Sequence, residues 1–210
     1  GGKGKQSSTQ RKSKVAKALA RLAIFDFDGT LFTKTPSDPP SWWTDPTPYS
    51  WDSHELALSP PCVPKKPDPN WWNNKVVHAA RQAVASHDTV MVLVTARVKT
   101  LKPRILQLLR QQGIYPDLIF FNPNEAAATY KKRIMLKLLS ENPVMDYIQV
   151  WEDENVHIYD PFLRSLSGKL GRELEVDVFR VRERETQLLC DARPMMASTQ
   201  GMSRTRFASL

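Results

Sequence analysis

Two aspartates one residue apart, Asp26 and Asp28, follow an apolar run and precede Gly29-Thr30 in the stretch RLAIFDFDGTLFT, residues 21–33. The apolar run predicts a buried strand over residues 22–27 that ends in two carboxylates and a tight turn. Residues i and i+2 of a strand point to the same side, so strand geometry carried through Asp28 would aim both carboxylates at one spot. Two carboxylates at one spot repel unless a cation or a proton intervenes. A hard divalent ion such as Mg2+, which prefers oxygen ligands, is the natural partner.

The rest of the chain predicts the elements that would surround this pair. Helical spacing of Val76, Val77, Ala80 and Val84 begins after Asn73 or Asn74, either of which can cap it. Residues 89–94, TVMVLV, form an unbroken apolar run of strand length, as expected of a strand buried on both faces. It ends in Thr95-Ala96-Arg97. A helix follows over residues 101–112, with Ile105, Leu108 and Leu109 inward, Pro103 in its first turn and Gly113 at its end. A short strand is expected over 117–121 and a helix over 125–139. A fourth strand, 147–151, runs into Glu152-Asp153. A helix over 157–170 and an alternating edge strand over 173–181 complete the pattern. Strands alternating with helices specify an α/β fold, a Rossmann-like three-layer sandwich around a central parallel sheet of five strands.

Ligands of such sheets bind at the carboxyl ends of the strands. Asp-x-Asp, Thr-x-Arg and Glu-Asp end the first, second and fourth strands, and Lys131 and Lys132 open the helix after the third. Basic residues in the early turns of a helix oppose its dipole, so they need a reason to be there. Lys131 shares a face with Ile134 and Leu138 and is therefore expected to point inward in preference to Lys132.

Residues 33–74 differ in character. They hold ten of the sixteen prolines and five of the six tryptophans, Trp42, Trp43, Trp51, Trp71 and Trp72. Prolines at that density deny a long helix or a central strand, so an irregular insertion packed by aromatic rings is expected. It lies just past the two aspartates. Its tryptophans, if exposed, could stack nucleic-acid bases.

The net charge of +8 is concentrated in residues 1–21, which carry seven basic residues and no acid and leave +1 for the remainder. The organisation expected is a basic, disordered tail over 1–20, a folded domain over 21–189, and a polar, disordered tail over 190–210. The basic tail could meet nucleic-acid phosphates or serve only as a solubilising linker. No apolar run approaches the length of a membrane span, and no secretory signal is present at the start of the chain. Cys62 and Cys190 are far apart and lack a metal-ligand spacing. An intracellular location, cytoplasmic or nuclear, is the expectation, with no membrane partner.

DFDGTLF, residues 26–32, resembles the first motif of the haloacid dehalogenase superfamily, DxDx(T/V). The resemblance implies that Asp26 is a nucleophile forming an aspartyl-phosphate and that Asp28 is the general acid and base. It places Thr95 and the following Ala96 amide on the phosphoryl oxygens, and it makes the insertion at residues 33–74 a cap or flap over the active site. Lys131 would bind the phosphoryl group and quiet the Asp26 charge. Asp153 would ligate Mg2+ together with an Asp26 carboxylate oxygen and the Asp28 main-chain carbonyl, with Glu152 a direct or outer ligand. VTAR at residues 94–97, the Tyr130-Lys131 pair and WEDENVH at 151–157 are similar, more narrowly, to the Swiss Army Knife RNA repair-like branch. In that branch Arg97 could grip a second phosphate or a ribose. His157 could orient a ligand or simply start a helix. Glu154 departs from the branch, which tends to have Arg at that place.

The expectation is a Mg2+-dependent phosphohydrolase acting on phosphorylated substrates, RNA or DNA ends among them. A binding module on an inherited fold and a small-metabolite phosphatase are the alternatives.

Overall fold

A computed structural model describes residues 20–36, 39–41, 43 and 51–182, and the backbone of 206–209. Residues 1–19 of the expected basic tail and the remainder of the 190–210 tail lie outside the described residues.

Among the described residues four α-helices and six strands follow in the order β1 (Arg21–Phe25), α1 (Asn74–Ala85), β2 (Thr89–Thr95), α2 (Lys102–Gln111), β3 (Leu118–Phe121), α3 (Ala127–Glu141), β4 (Tyr147–Glu152), α4 (Val156–Leu170), β5 (Glu175–Arg180) and β6 (Arg206–Ser209). The sheet order is β3-β2-β1-β4-β5-β6, with every pair parallel. The five strands read from the sequence are all present. Residues 206–209 add a sixth against β5, so β5 is not the edge of the sheet and these four residues depart from the expected disordered tail.

Alternation along each strand divides the interior into two cores. Ala23 and Phe25 of β1 and Met91 and Leu93 of β2 pack under α1 and α2, against Val76, Ala80, Ile105 and Leu108. Leu22 and Ile24, with Val90, Val92 and Val94, face the other way toward Ile134 and Leu138 of α3 and Leu163 of α4. This is the Rossmann-like three-layer sandwich, and the unbroken apolar run of β2 is explained by burial on both faces. Asn73 caps α1, its Oδ1 accepting from the amides of Lys75 at 3.2 Å and Val76 at 3.3 Å.

Among its described residues the insertion contains only single helical turns, at Trp51–Ser53, Glu55–Leu58 and Pro69–Trp71. Among the described residues its tryptophans pack against other rings or lie buried. Trp51 and Trp72 are 7% and 4% exposed. Trp71 lies against Phe32, and Trp43 lies edge-on to Trp51 and His54. In a segment denied regular structure by proline, these rings supply the apolar burial that backbone ladders cannot. Trp42 lies outside the described residues. Among the described residues no helix is long and apolar enough to cross a membrane.

Candidate active site

β2 and β4 flank β1 on opposite sides, so the direction of winding reverses between β1 and β4. In an open parallel sheet the crevice outside the carboxyl ends of the strands, at that reversal, is where ligands sit. Asp26 is the first residue past β1, and Glu152 ends β4 with Asp153 next. They open on a cavity of about 650 Å3.

Lys131 sits between two of these acids. Its Nζ lies 2.8 Å from Asp26 Oδ1 and 2.7 Å from Glu152 Oε2, and all three side chains are buried. The helix face settles which lysine enters. Lys131 lies inward with Ile134 and Leu138, whereas the Lys132 ammonium lies over the Phe162 ring. Burial works against the Lys131 charge, but Asp26 and Glu152 outweigh it and hold its pKa above the ordinary lysine value. Burial, then Glu152, push Asp26 up to about 8 against the pull of Lys131. Burial, then Asp26, push Asp153 up to about 6. Glu152 is raised as well, chiefly by burial.

Asp28 goes elsewhere. β1 ends at Phe25, so the strand geometry that would have aimed both aspartates at one spot does not persist. Arg97 Nε and Nη2 each donate to one Asp28 oxygen at 2.9 Å, and Arg97 Nη1 donates to the Asp52 carbonyl of the insertion. Three of the five guanidinium N–H groups are thus engaged on Asp28 and the insertion.

The turn after β1 is closed by hydrogen bonds from Leu31 N and Phe32 N to the Phe27 carbonyl, at 3.1 and 2.9 Å. Gly29 has φ +70° there, and a Cβ on it would fall 1.9 Å from Asp153 Oδ2. Only glycine allows both that backbone and the close approach of the Asp153 carboxylate.

Oxygens of Asp26, Glu152 and Asp153 lie within 4.8 Å of one another. This set fits a hard divalent ion. Oxygen donors are what Mg2+ prefers, and the glycine turn leaves room for Asp153 beside Asp26. The charges agree: Asp26, Asp28, Glu152 and Asp153 outnumber Lys131 and Arg97 by two. Asp28 is absent from the clustered carboxylates, because its own oxygens face Arg97.

A model of the family described as HAD domain family 1 in Swiss Army Knife RNA repair proteins matches residues 27–192. The chain belongs to this family. The HAD domain is also 25% identical over 176 residues to the uncharacterized protein YMR265C of Saccharomyces cerevisiae, covering 69% of this chain. It spans only 36% of that relative's length. Among solved structures, one reported as the Pnkp1/Rnl/Hen1 complex is similar at a TM-score of 0.48 and 17% identity, over 76% of this chain and 46% of that one. The Legionella pneumophila effector Ceg4 is similar at a TM-score of 0.46 and 16% identity, over 84% of this chain and 94% of that one.

Of the residues singled out from the sequence of this HAD domain, Asp26, Asp28, Ala96, Arg97, Lys131, Glu152 and Asp153 line the one cavity. Thr95 is fully buried at the end of β2 and does not line it; its Oγ1 accepts from the Arg97 amide at 3.1 Å and shapes the turn. His157 is exposed on the first turn of α4 and lies away from the cavity lining. Sequence reasoning missed Asn122 and Asn124 after β3, and Asp52 and Ser53 of the insertion, all of which line the cavity. The strand-end rule that located the other groups would have found Asn122, whose amide donates to the Arg97 carbonyl at 2.9 Å. The Asp52 region carries no periodicity that could have flagged it.

Proposed function

We propose that this HAD domain is a Mg2+-dependent phosphohydrolase that removes terminal phosphates from RNA through an aspartyl-phosphate on Asp26. The observation that carries the reading is the buried Asp26–Lys131–Glu152 bridge with Asp153 beside it, at the reversal point of the sheet. RNA as substrate rests on the description of the family to which the domain belongs.

An Asp26 oxygen attacks phosphorus as the bond to the leaving oxygen breaks, and Asp28 gives that oxygen a proton. Water then attacks the same phosphorus. Asp28 takes the water's proton, the bond to Asp26 breaks, and inorganic phosphate leaves. Lys131 holds Asp26 in position and offers positive charge beside the equatorial oxygens, where charge spreads in the transition state. Both Asp28 oxygens accept from Arg97, so proton transfer requires one of these two hydrogen bonds to open as substrate enters. Asp26 and Asp153, with the Asp28 main-chain carbonyl, would hold Mg2+, and Glu152 would steady Lys131 and the ion's outer waters. When bound, the ion neutralises phosphoryl oxygens that would otherwise be repelled by the carboxylates.

The test is phosphate release in MgCl2 from RNA oligonucleotides phosphorylated at the 3′ or the 5′ end, beside 4-nitrophenyl phosphate. Release should vanish with EDTA, and Asp26→Asn should lower it by a factor of at least about 10³. An Asp26→Asn variant with normal rate would overturn the mechanism. Release from the small ester alone would overturn RNA as the substrate.

A further inference from the structure

The two cations that line the cavity are already neutralised. Lys131 faces Asp26 and Glu152, and Arg97 is matched bidentately by Asp28. The mouth adds acid. Asp52, from the insertion, and Glu154, past β4, line the same cavity, and both are exposed. Among the described residues neither carboxylate has an ion-pair partner, unlike Glu125, which Arg133 meets at 2.7 Å. Both are held in place through their backbones. The Asp52 carbonyl accepts from Arg97, and the Glu154 carbonyl accepts from the Val156 amide at 3.0 Å. The lining also holds Glu125, which is paired with Arg133, and the neutral groups Thr33, Thr35, Ser53, Asn124 and Asn155.

We propose that Asp52 and Glu154 form a charge filter that selects the leaving group. The inference rests on the phosphohydrolase reading and narrows its substrate class. A bound divalent ion offsets the two surplus charges of the inner site, so a phosphate dianion can enter. Among the described residues no ion pair offsets Asp52 or Glu154, and the Arg97 guanidinium, whose charge reaches Asp52, is already matched by Asp28. A leaving group with a carboxylate or a second phosphate next to the ester oxygen meets uncompensated like charge across a few ångströms. A leaving group that shows hydroxyls there, as a ribose does, meets neutral hydrogen-bonding side chains. The filter therefore admits the sugar end of a polynucleotide, whose next phosphate lies a full ribose away, and turns away acidic metabolites.

Glycerol 2-phosphate and 2-phosphoglycerate test this, because they differ only by a hydroxymethyl group exchanged for a carboxylate. Their Kd values in MgCl2 are measured on the full chain carrying Asp26→Asn, and kcat/KM on the active protein. Glycerol 2-phosphate should be favoured by about tenfold, and about 0.5 M NaCl should shrink the preference. Asp52→Asn with Glu154→Gln should bring the two compounds within about twofold. Glu154→Gln alone should move the ratio part of the way and serves if the double variant fails to fold. Equal Kd values before substitution, a ratio unmoved by the substitutions, or no binding of glycerol 2-phosphate would overturn the filter. A retained Kd preference without turnover of either compound would instead sink the phosphohydrolase reading and leave the filter standing.

Discussion

Asp26 illustrates how a residue can be costly to the fold and useful to the site. Its carboxyl is raised to about 8 by burial and then by Glu152, and Asp153 is raised to about 6 by burial and then by Asp26. Both start from 3.8 in an unfolded chain. Between these values the folded, metal-free protein binds more protons than the unfolded one, so its stability falls as pH rises from about 4 to about 8. A divalent ion favours the ionised carboxylates and should flatten that fall. Urea midpoints at about pH 5 and about pH 8, in EDTA and in MgCl2, check this. Stability that rose with pH in EDTA would mean that Lys131 outweighs burial in setting the charge of Asp26. The same residues show what can be read from sequence alone. Lys131 was legible over Lys132 because a helix face decides it. The parting of Asp26 from Asp28 was not, because it depends on β1 ending at Phe25 and on Arg97 arriving from 69 residues away.

Among the elements, strands and helices were legible because each buries a periodic apolar pattern, and their carboxyl ends located most of the site. The insertion was legible only as irregular. What fastens it is long-range and carries no local pattern. Arg104 on α2 donates from Nε to the Leu58 carbonyl at 2.7 Å and from Nη2 to the Pro64 carbonyl at 2.7 Å, and Nη1 reaches the Lys65 carbonyl at 3.1 Å. Gln111, two helical turns on, also donates to the Lys65 carbonyl. One guanidinium thereby satisfies three carbonyls that no ladder can reach, and residues 58–65 are fixed to the domain. Arg104→Ala should cost about 1–2 kcal/mol, a value kept low because the clamp is part-exposed. It should also open residues 58–66 to limited proteolysis while leaving the β-sheet protected. Cleavage no faster than in the unsubstituted chain would show that the aromatic packing of the insertion holds it unaided.

At the scale of the whole molecule, charge is distributed against the chemistry. The inner site carries a surplus of two negative charges and its mouth carries two more, yet the chain is +8. Most of that positive charge belongs to residues 1–21. On the reading above, a phosphate polymer would be attracted to one part of the chain and lose its terminal phosphate in another. Attraction by lysines and arginines works through counterion release and weakens steeply with salt, whereas the entry of one small phosphate ester does not use it. Deleting residues 1–19 removes Lys3, Lys5, Arg11, Lys12, Lys14 and Lys17 but keeps Ala20, whose amide and carbonyl pair with Asp88, Asp146 and Tyr147. The deletion should lower kcat/KM for a phosphorylated RNA oligonucleotide at low salt by about tenfold or more and flatten its salt dependence. The rate with 4-nitrophenyl phosphate should be unchanged. Equal losses on both substrates would place the basic segment in the structure of the site. No loss on either would make it a linker and leave the mouth, on the filter proposed above, as the sole means of choosing RNA.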